Sequence, residues 1–213
     1  MPCKTQGKKI MIFLEDLISR PDFGEALNNL IPEYREKFSL PEIHQLGLVV
    51  ADVEEAARHL EEQGVAPFFI ATGSPAFWIE REKKRFFRGK LGFSHHHGVE
   101  FELLEPGEGS DFYRRSLDPE GRIVVQHLGF LVNDVDAWAE KLSAAGSAIW
   151  VRGAITLGPA NTQFAYMDTE EKTGIVIEFI SQRCFGMRWW PLGAVFKVAA
   201  RLEKWTGKRS ISV

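Results

Sequence analysis

QLGLVVADVEEAARHLEEQGVAPFF, from Gln45 to Phe69, and HLGFLVNDVDAWAEKLSAAGSAIWV, from His127 to Val151, are one pattern written twice. Leu46/Leu128, Gly47/Gly129, Val50/Val132, Asp52/Asp134, Val53/Val135, Ala57/Ala139, Leu60/Leu142 and Gly64/Gly146 all coincide at a single offset of 82. A repeat of this kind marks a duplicated structural unit. Each copy opens with a short apolar run ending at an Asp, which reads as a strand followed by a capped helix N-terminus. Val53, Ala56, Ala57 and Leu60, like Val135, Trp138, Ala139 and Leu142, fall on one helical face. Gly64 and Gly146 stand where a left-handed C-terminal cap is expected, and apolar runs come next at 66–70 and 148–151.

Outward from the repeat, two further strand signals complete each copy. In the first they are 85–94 and 99–104, around the turn HHHG; in the second, 162–167 and 174–180, around DTEEKTG. The expectation is an α+β fold of two βαβββ modules, 42–105 and 125–180, joined by a Pro-, Gly- and charge-rich linker at 106–124. An N-terminal helical extension occupies 1–41, with Asp22 opening a helix over 23–30 and with Pro32 and Pro41 at the two ends of the next segment. A tail at 181–213 carries Leu192, Val195, Ala199, Leu202 and Trp205 at helical spacing beside Lys197, Arg201, Lys204 and Lys208. That basic amphipathic helix is expected to dock on the body or a second subunit; the other reading is peripheral membrane contact or a lid.

With 213 residues, 45% of them hydrophobic, the chain can bury a substantial core. Its formal charge of -3 supplies no overall basic field for nucleic acid. The two cysteines, Cys3 and Cys184, have neither disulfide-framework nor zinc-ribbon spacing, and a cytoplasmic setting is expected. Near the start, Glu15 and Asp16 interrupt the apolar run at 10–14, which is short of a secretory signal.

Two such copies, with ELLEP closing the first and GIVIEFI the second, resemble the vicinal-oxygen-chelate (glyoxalase) superfamily over roughly 42–180. QHLGFLVNDVD and VEFELLEP are similar to segments of glyoxalase I and methylmalonyl-CoA epimerase. In that family the first and last strands of each module donate one metal ligand apiece. The resemblance therefore implies a divalent ion (Zn, Ni, Co, Mn or Fe) held by Gln45, Glu102, His127 and Glu178. It also implies a small-molecule substrate, such as a thioester or hemithioacetal, and a homodimer. The site would close within one chain or across the dimer, since both occur in the family.

Strand alternation bears on this set. His127 matches Gln45 in the repeat, not the more tempting His44, and Gln126 is likewise the wrong neighbour. Glu178 lies in a strand apolar on both faces, where an unpaired carboxylate costs several kcal/mol. Glu102 shares its face with Glu100, so a solvated strand face competes with ligation there. A lone strand histidine is commonly a satisfied core residue, and only the repeat favours His127 as a ligand. His95, His96 and His97 are expected in an exposed turn or at a pocket rim.

The resemblance implies removal of a proton α to a carbonyl through a metal-stabilised enediolate, with Glu178 or Glu102 as the base. The Gln/Glu/His/Glu set is similar to that of glyoxalase I, whereas the epimerases carry His in first position. A drug-binding protein of the bleomycin-resistance kind is the alternative of another class. Ring-cleaving dioxygenases use two His and one carboxylate, and this chain has one His in ligand register.

Overall fold

The computed structural model describes residues 11–188 and 211–212. Three short helices come first, α1 (Glu15–Ile18), α2 (Phe23–Asn28) and α3 (Pro32–Phe38). The first repeat forms β1 (Ile43–Val49), α4 (Val53–Glu62), β2 (Phe69–Gly73), a small hairpin β3 (Phe77–Glu80) and β4 (Lys83–Arg85), then β5 (Gly89–His96) and β6 (Val99–Leu104). The second forms β7 (Val124–Leu131), α5 (Val135–Ala144), β8 (Ile149–Leu157), β9 (Ala160–Met167), a short α6 (Glu170–Thr173) and β10 (Val176–Cys184). Two-residue strands β11 (Met187–Arg188) and β12 (Ile211–Ser212) complete the described elements.

The repeated residues do matching work. Asp52 accepts from the Glu55 N–H at 2.8 Å and Asp134 from the Ala137 N–H at 3.0 Å, each satisfying a donor at a helix N-terminus. Val53, Ala57 and Leu60 bury one face of α4, and Val135, Ala139 and Leu142 the same face of α5. Gly64 and Gly146 come after the helices at φ +91 and +82, a region that favours glycine.

β1 and β7 pair antiparallel at the centre of one curled mixed sheet. β6 lies parallel to β1 with β5 and β2 beyond it; β10 lies parallel to β7 with β9 and β8 beyond it. The two halves thus have the same strand order about the β1/β7 seam. One apolar core fills the space between the sheet and α1 to α5. A second, rich in aromatic residues, lies on the other face, among Trp78, Phe87, Phe112, Tyr113, Trp150, Phe164 and Tyr166.

Several expectations are corrected. The first module carries the extra hairpin β3–β4, whose β3 pairs with β8 of the second module, so the strand expected from residue 85 begins at Gly89. His95 and His96 end β5 and are half-buried, and only His97, at φ +47, lies in the turn. Pro32 opens α3 at its first turn, where its missing N–H costs nothing. The linker buries Phe112 and Tyr113 in the second core, and so forms part of a wall as well as a connection. The N-terminal helices share the first core, with Leu14, Phe23, Leu27, Ile31 and Phe38 buried. No helix among the described residues is long and apolar enough to cross a membrane. The tail helix expected from Leu192 to Lys208 lies outside the described residues.

Candidate metal centre

The antiparallel register of β1 on β7 places Gln45 opposite Gly129 and Gly47 opposite His127. These are equivalent positions in the two modules, so the repeat brings its own first residues together across the seam. A Cβ at Gly47 would overlap the His127 ring, and one at Gly129 would stand 2.9 Å from the Gln45 Cβ and Oε1. Each glycine of the repeat therefore makes room for the polar side chain of the other module. β6 then sets Glu102 beside Gly47, and β10 sets Glu178 beside Gly129, again in matching register.

All four side chains named from the sequence meet here, within one chain, and all are buried. His127 Nε2 lies 3.1 Å from Glu178 Oε2, 3.4 Å from Glu102 Oε2 and 3.4 Å from Gln45 Oε1. Glu102, His127 and Glu178 each present a donor atom within 4.8 Å of the others. Gln45, Glu102 and Glu178 line a cavity, with His127 behind them and His44 away from it, and burial lowers the His44 pKa.

Two site residues escaped the sequence reading. The β1/β7 register slips between Gly47/His127 and Leu48/Val125, which leaves Gln126 as an extra residue on β7. Such a bulge re-aims a side chain, and Gln126 Oε1 lies 2.7 Å from His127 Nδ1. An amide oxygen there accepts the Nδ1–H, so Nε2 is the ring nitrogen that faces three oxygens, and it can bind a cation once its own proton leaves. The matching slip on β1 falls at His44, the counterpart of Gln126 in the repeat. The second missed residue is Glu100. It is 2% exposed, not solvated, and its Oε1 accepts from Gln45 Nε2 at 2.7 Å. His95 Nε2 stands 3.8 Å from its other oxygen. Its counterpart in the second module is Val176, as the pairings Gln45↔Glu100 and His127↔Val176 show.

The electrostatics result from this crowding. Burial pushes the Glu100 carboxyl up to about 8, with Glu102 and Glu178 adding to the rise and the Gln45 hydrogen bond opposing it. Glu178 is also raised, first by burial, against the pull of His127. For His127 burial opposes the charged ring most strongly, yet the carboxylates of Glu178 and Glu102 outweigh it and the pKa rises to about 9. Tyr113 and Tyr166, whose hydroxyls lie 3.1 Å apart, are held well above the usual phenol range by burial.

The donor set fits a divalent cation. One imidazole nitrogen can share at most one proton, whereas three oxygens converge on it. Glu178 Oε2 accepts no well-directed hydrogen bond among the described residues. Two carboxylates would neutralise the ion, the amide and imidazole complete a four-donor set, and oxygen and nitrogen donors suit borderline metals. The set opens into a cavity of about 150 Å³, from which a further ligand could approach.

The model of the Glyoxalase/Bleomycin resistance protein/Dioxygenase superfamily matches residues 44–166, more than half of the chain. No curated protein matches. Among solved structures, methylmalonyl-CoA epimerase from Mycobacterium tuberculosis is similar at 19% identity and a TM-score of 0.42, over 65% of this chain and 85% of that one. A variant of the Streptomyces coelicolor epimerase in complex with 2-nitronate-propionyl-CoA is 18% identical, over 66% of this chain and 94% of that one, with a TM-score of 0.46. A mutant 4-hydroxymandelate synthase from Streptomyces coelicolor is 14% identical, over 78% of this chain and 56% of that one, with a TM-score of 0.47.

Proposed function

The chain belongs to the glyoxalase/bleomycin resistance protein/dioxygenase superfamily, and from that premise we propose that it is a divalent-metal-dependent lyase or isomerase that moves a proton α to a carbonyl. The observation that carries this reading is the convergence of Gln45, Glu102 and Glu178 oxygens on His127 Nε2 at the floor of a largely apolar cavity. Three buried oxygens around one nitrogen would cost several kcal/mol without a cation, and a pure binding pocket has no need of them.

Gln45, Glu102, His127 and Glu178 would hold the ion, with Gln126 fixing the His127 tautomer. Bound there, the ion would polarise a carbonyl oxygen and so acidify the neighbouring C–H. Glu178 is the base: it is buried, its pKa is raised, and Oε2 is free of a directed hydrogen bond. A carboxylate whose pKa is raised by burial holds an abstracted proton more readily than an exposed one. Tyr166, with its ring 5.0 Å from that of His127, and Tyr113 line the same cavity as protonated hydroxyls that can donate to a substrate oxygen.

The test is exchange of an α-proton with deuterated solvent, monitored by NMR across α-hydroxy thiohemiacetals and branched acyl thioesters. Wild type exchanges at least one of them. Glu178→Gln keeps an oxygen donor but not the basicity, and exchange falls by about 10²–10⁴-fold at saturating metal. Unchanged exchange would pass the role to Glu102. The absence of both metal uptake and exchange would leave a small-molecule binding protein.

A further inference from the structure

Alternation decides what the cavity shows a ligand. Gly89, Leu91 and Phe93 of β5, Ala160, Thr162, Phe164 and Tyr166 of β9, and Glu178, Ile180 and Gln182 of β10 all face inward at two-residue spacing. The crossing hairpin adds Trp78, which stacks on Phe87 at 4.4 Å between ring centroids. Among the described residues no lysine or arginine lines this space. Four cations on the adjoining strands and turn are committed elsewhere. Lys90 pairs with Glu54 at 3.2 Å, Arg85 with Glu80 at 3.8 Å, Arg115 with Glu170 at 3.6 Å and Arg152 with Asp136 at 2.9 Å.

At the floor stand three carboxyl groups, Glu100, Glu102 and Glu178. Two of them are balanced if a divalent ion is bound, so the described residues offer an incoming anion no surplus positive charge. A carboxylate or phosphate entering would leave water without a counter-ion, next to groups of its own sign, and that is costly. An apolar ring loses nothing comparable and gains contact with aromatic walls. The volume of about 150 Å³ is the size of a cavity that takes up a single benzene ring.

We propose that the part of the substrate that enters the cavity is an uncharged, apolar group of about one aromatic ring, with a carbonyl oxygen directed at the His127 end and no carboxylate or phosphate. Direction of the oxygen rests on the metal-dependent reading above; selectivity of the walls rests on the lining alone. A thioester with an apolar acyl group meets this description, and one whose acyl group ends in a carboxylate does not.

The experiment uses the full chain loaded with Co(II), whose visible absorption reports ligands reaching the metal. Benzohydroxamate, 4-carboxybenzohydroxamate and acetohydroxamate offer the same pair of oxygens with a ring, a charged ring and no ring. Benzohydroxamate is expected to bind at least about tenfold tighter than either of the others, since one lacks the apolar area and the other buries an unpaired charge. Equal or tighter binding of the carboxylated compound, or equal binding of acetohydroxamate, overturns the proposal. If Co(II) is not taken up, the metal-dependent reading fails and wall selectivity is read by calorimetry on the metal-free chain with 4-chlorophenol and 4-hydroxybenzoate. Preference for the phenol then upholds the apolar lining; equal binding, or none, overturns it.

Discussion

Gly47 is the position where one added methyl group should undo the site. A Cβ there overlaps three atoms of the His127 imidazole, Cε1, Nδ1 and Nε2. The ring would have to retreat by about 1.5 Å to restore ordinary contact, and a displacement of about 1 Å at a catalytic group can cost on the order of 10²-fold. It has little room to do so: His127 is fully buried, Gln126 holds its Nδ1, and the Tyr166 ring lies 5.0 Å away. Overpacking of this kind costs about 1–3 kcal/mol. At about 2–4 °C per kcal/mol for a chain of this size, Gly47→Ala should lower the melting temperature by about 2–12 °C. Its affinity for Zn should fall at least about 100-fold in competition with a chromophoric chelator, more than the stability loss alone implies. Gly129→Ala is the internal control, because its Cβ would press on Gln45 and the flexible Ile180 Cδ1 at 2.9 Å, not on a fixed ring. Its effects should have the same sign and be smaller. A folded Gly47→Ala protein with wild-type metal affinity would refute the seam geometry.

Gln126→Leu removes the acceptor of the His127 Nδ1–H and should weaken metal binding by about 10–100-fold. Titration calorimetry checks this, and Gln126→Glu, which restores an acceptor, should recover part of the loss. In metal-free protein the folded-state pKa values of Glu100, about 8, and His127, about 9, both lie above their ordinary values of 4.5 and 6.5. Groups raised in this way bind protons better in the folded state. Their stabilisation is complete below the ordinary values and is lost as pH rises through the folded ones. The melting temperature of metal-free protein should therefore fall between about pH 4.5 and 9, most steeply in the upper half, and His127→Gln should flatten the upper part of that slope. Metal competes with protons for the same atoms, so Zn affinity should rise over the same window; an affinity independent of pH would show that His127 is not a ligand.

The duplicated pattern made the fold legible because what it repeats is local: a strand, an Asp cap, an apolar helix face and a glycine cap, each set by near neighbours in sequence. The four converging side chains were legible through the family resemblance, and the repeat register chose Gln45 over His44 because residues equivalent in two modules meet when the modules pack about their shared strand pair. What was missed depends on distant partners. Phe77–Glu80 pairs with β4 in its own hairpin and with the edge that β8, in the other module, offers it. Glu100 stands on what reads as a polar strand face, yet β6 lies between β5 and β1, where it is buried. Gln126 was set aside as a ligand by the repeat register; that it turns to His127 Nδ1 goes with a bulge, and no run of residue types announces a bulge. Tyr113 sits in what reads as a connecting segment, and its burial against Trp78 and Phe87 depends on the hairpin that crosses the cavity.

Anomalous diffraction from crystals of the full chain grown with Zn or Ni tests the central claim most directly. The account predicts one peak per chain, at about 2.0–2.2 Å from His127 Nε2 and from carboxylate oxygens of Glu102 and Glu178, with Gln45 Oε1 as the fourth donor. No peak at that position, or a peak at His95, His96 and His97 instead, would contradict it.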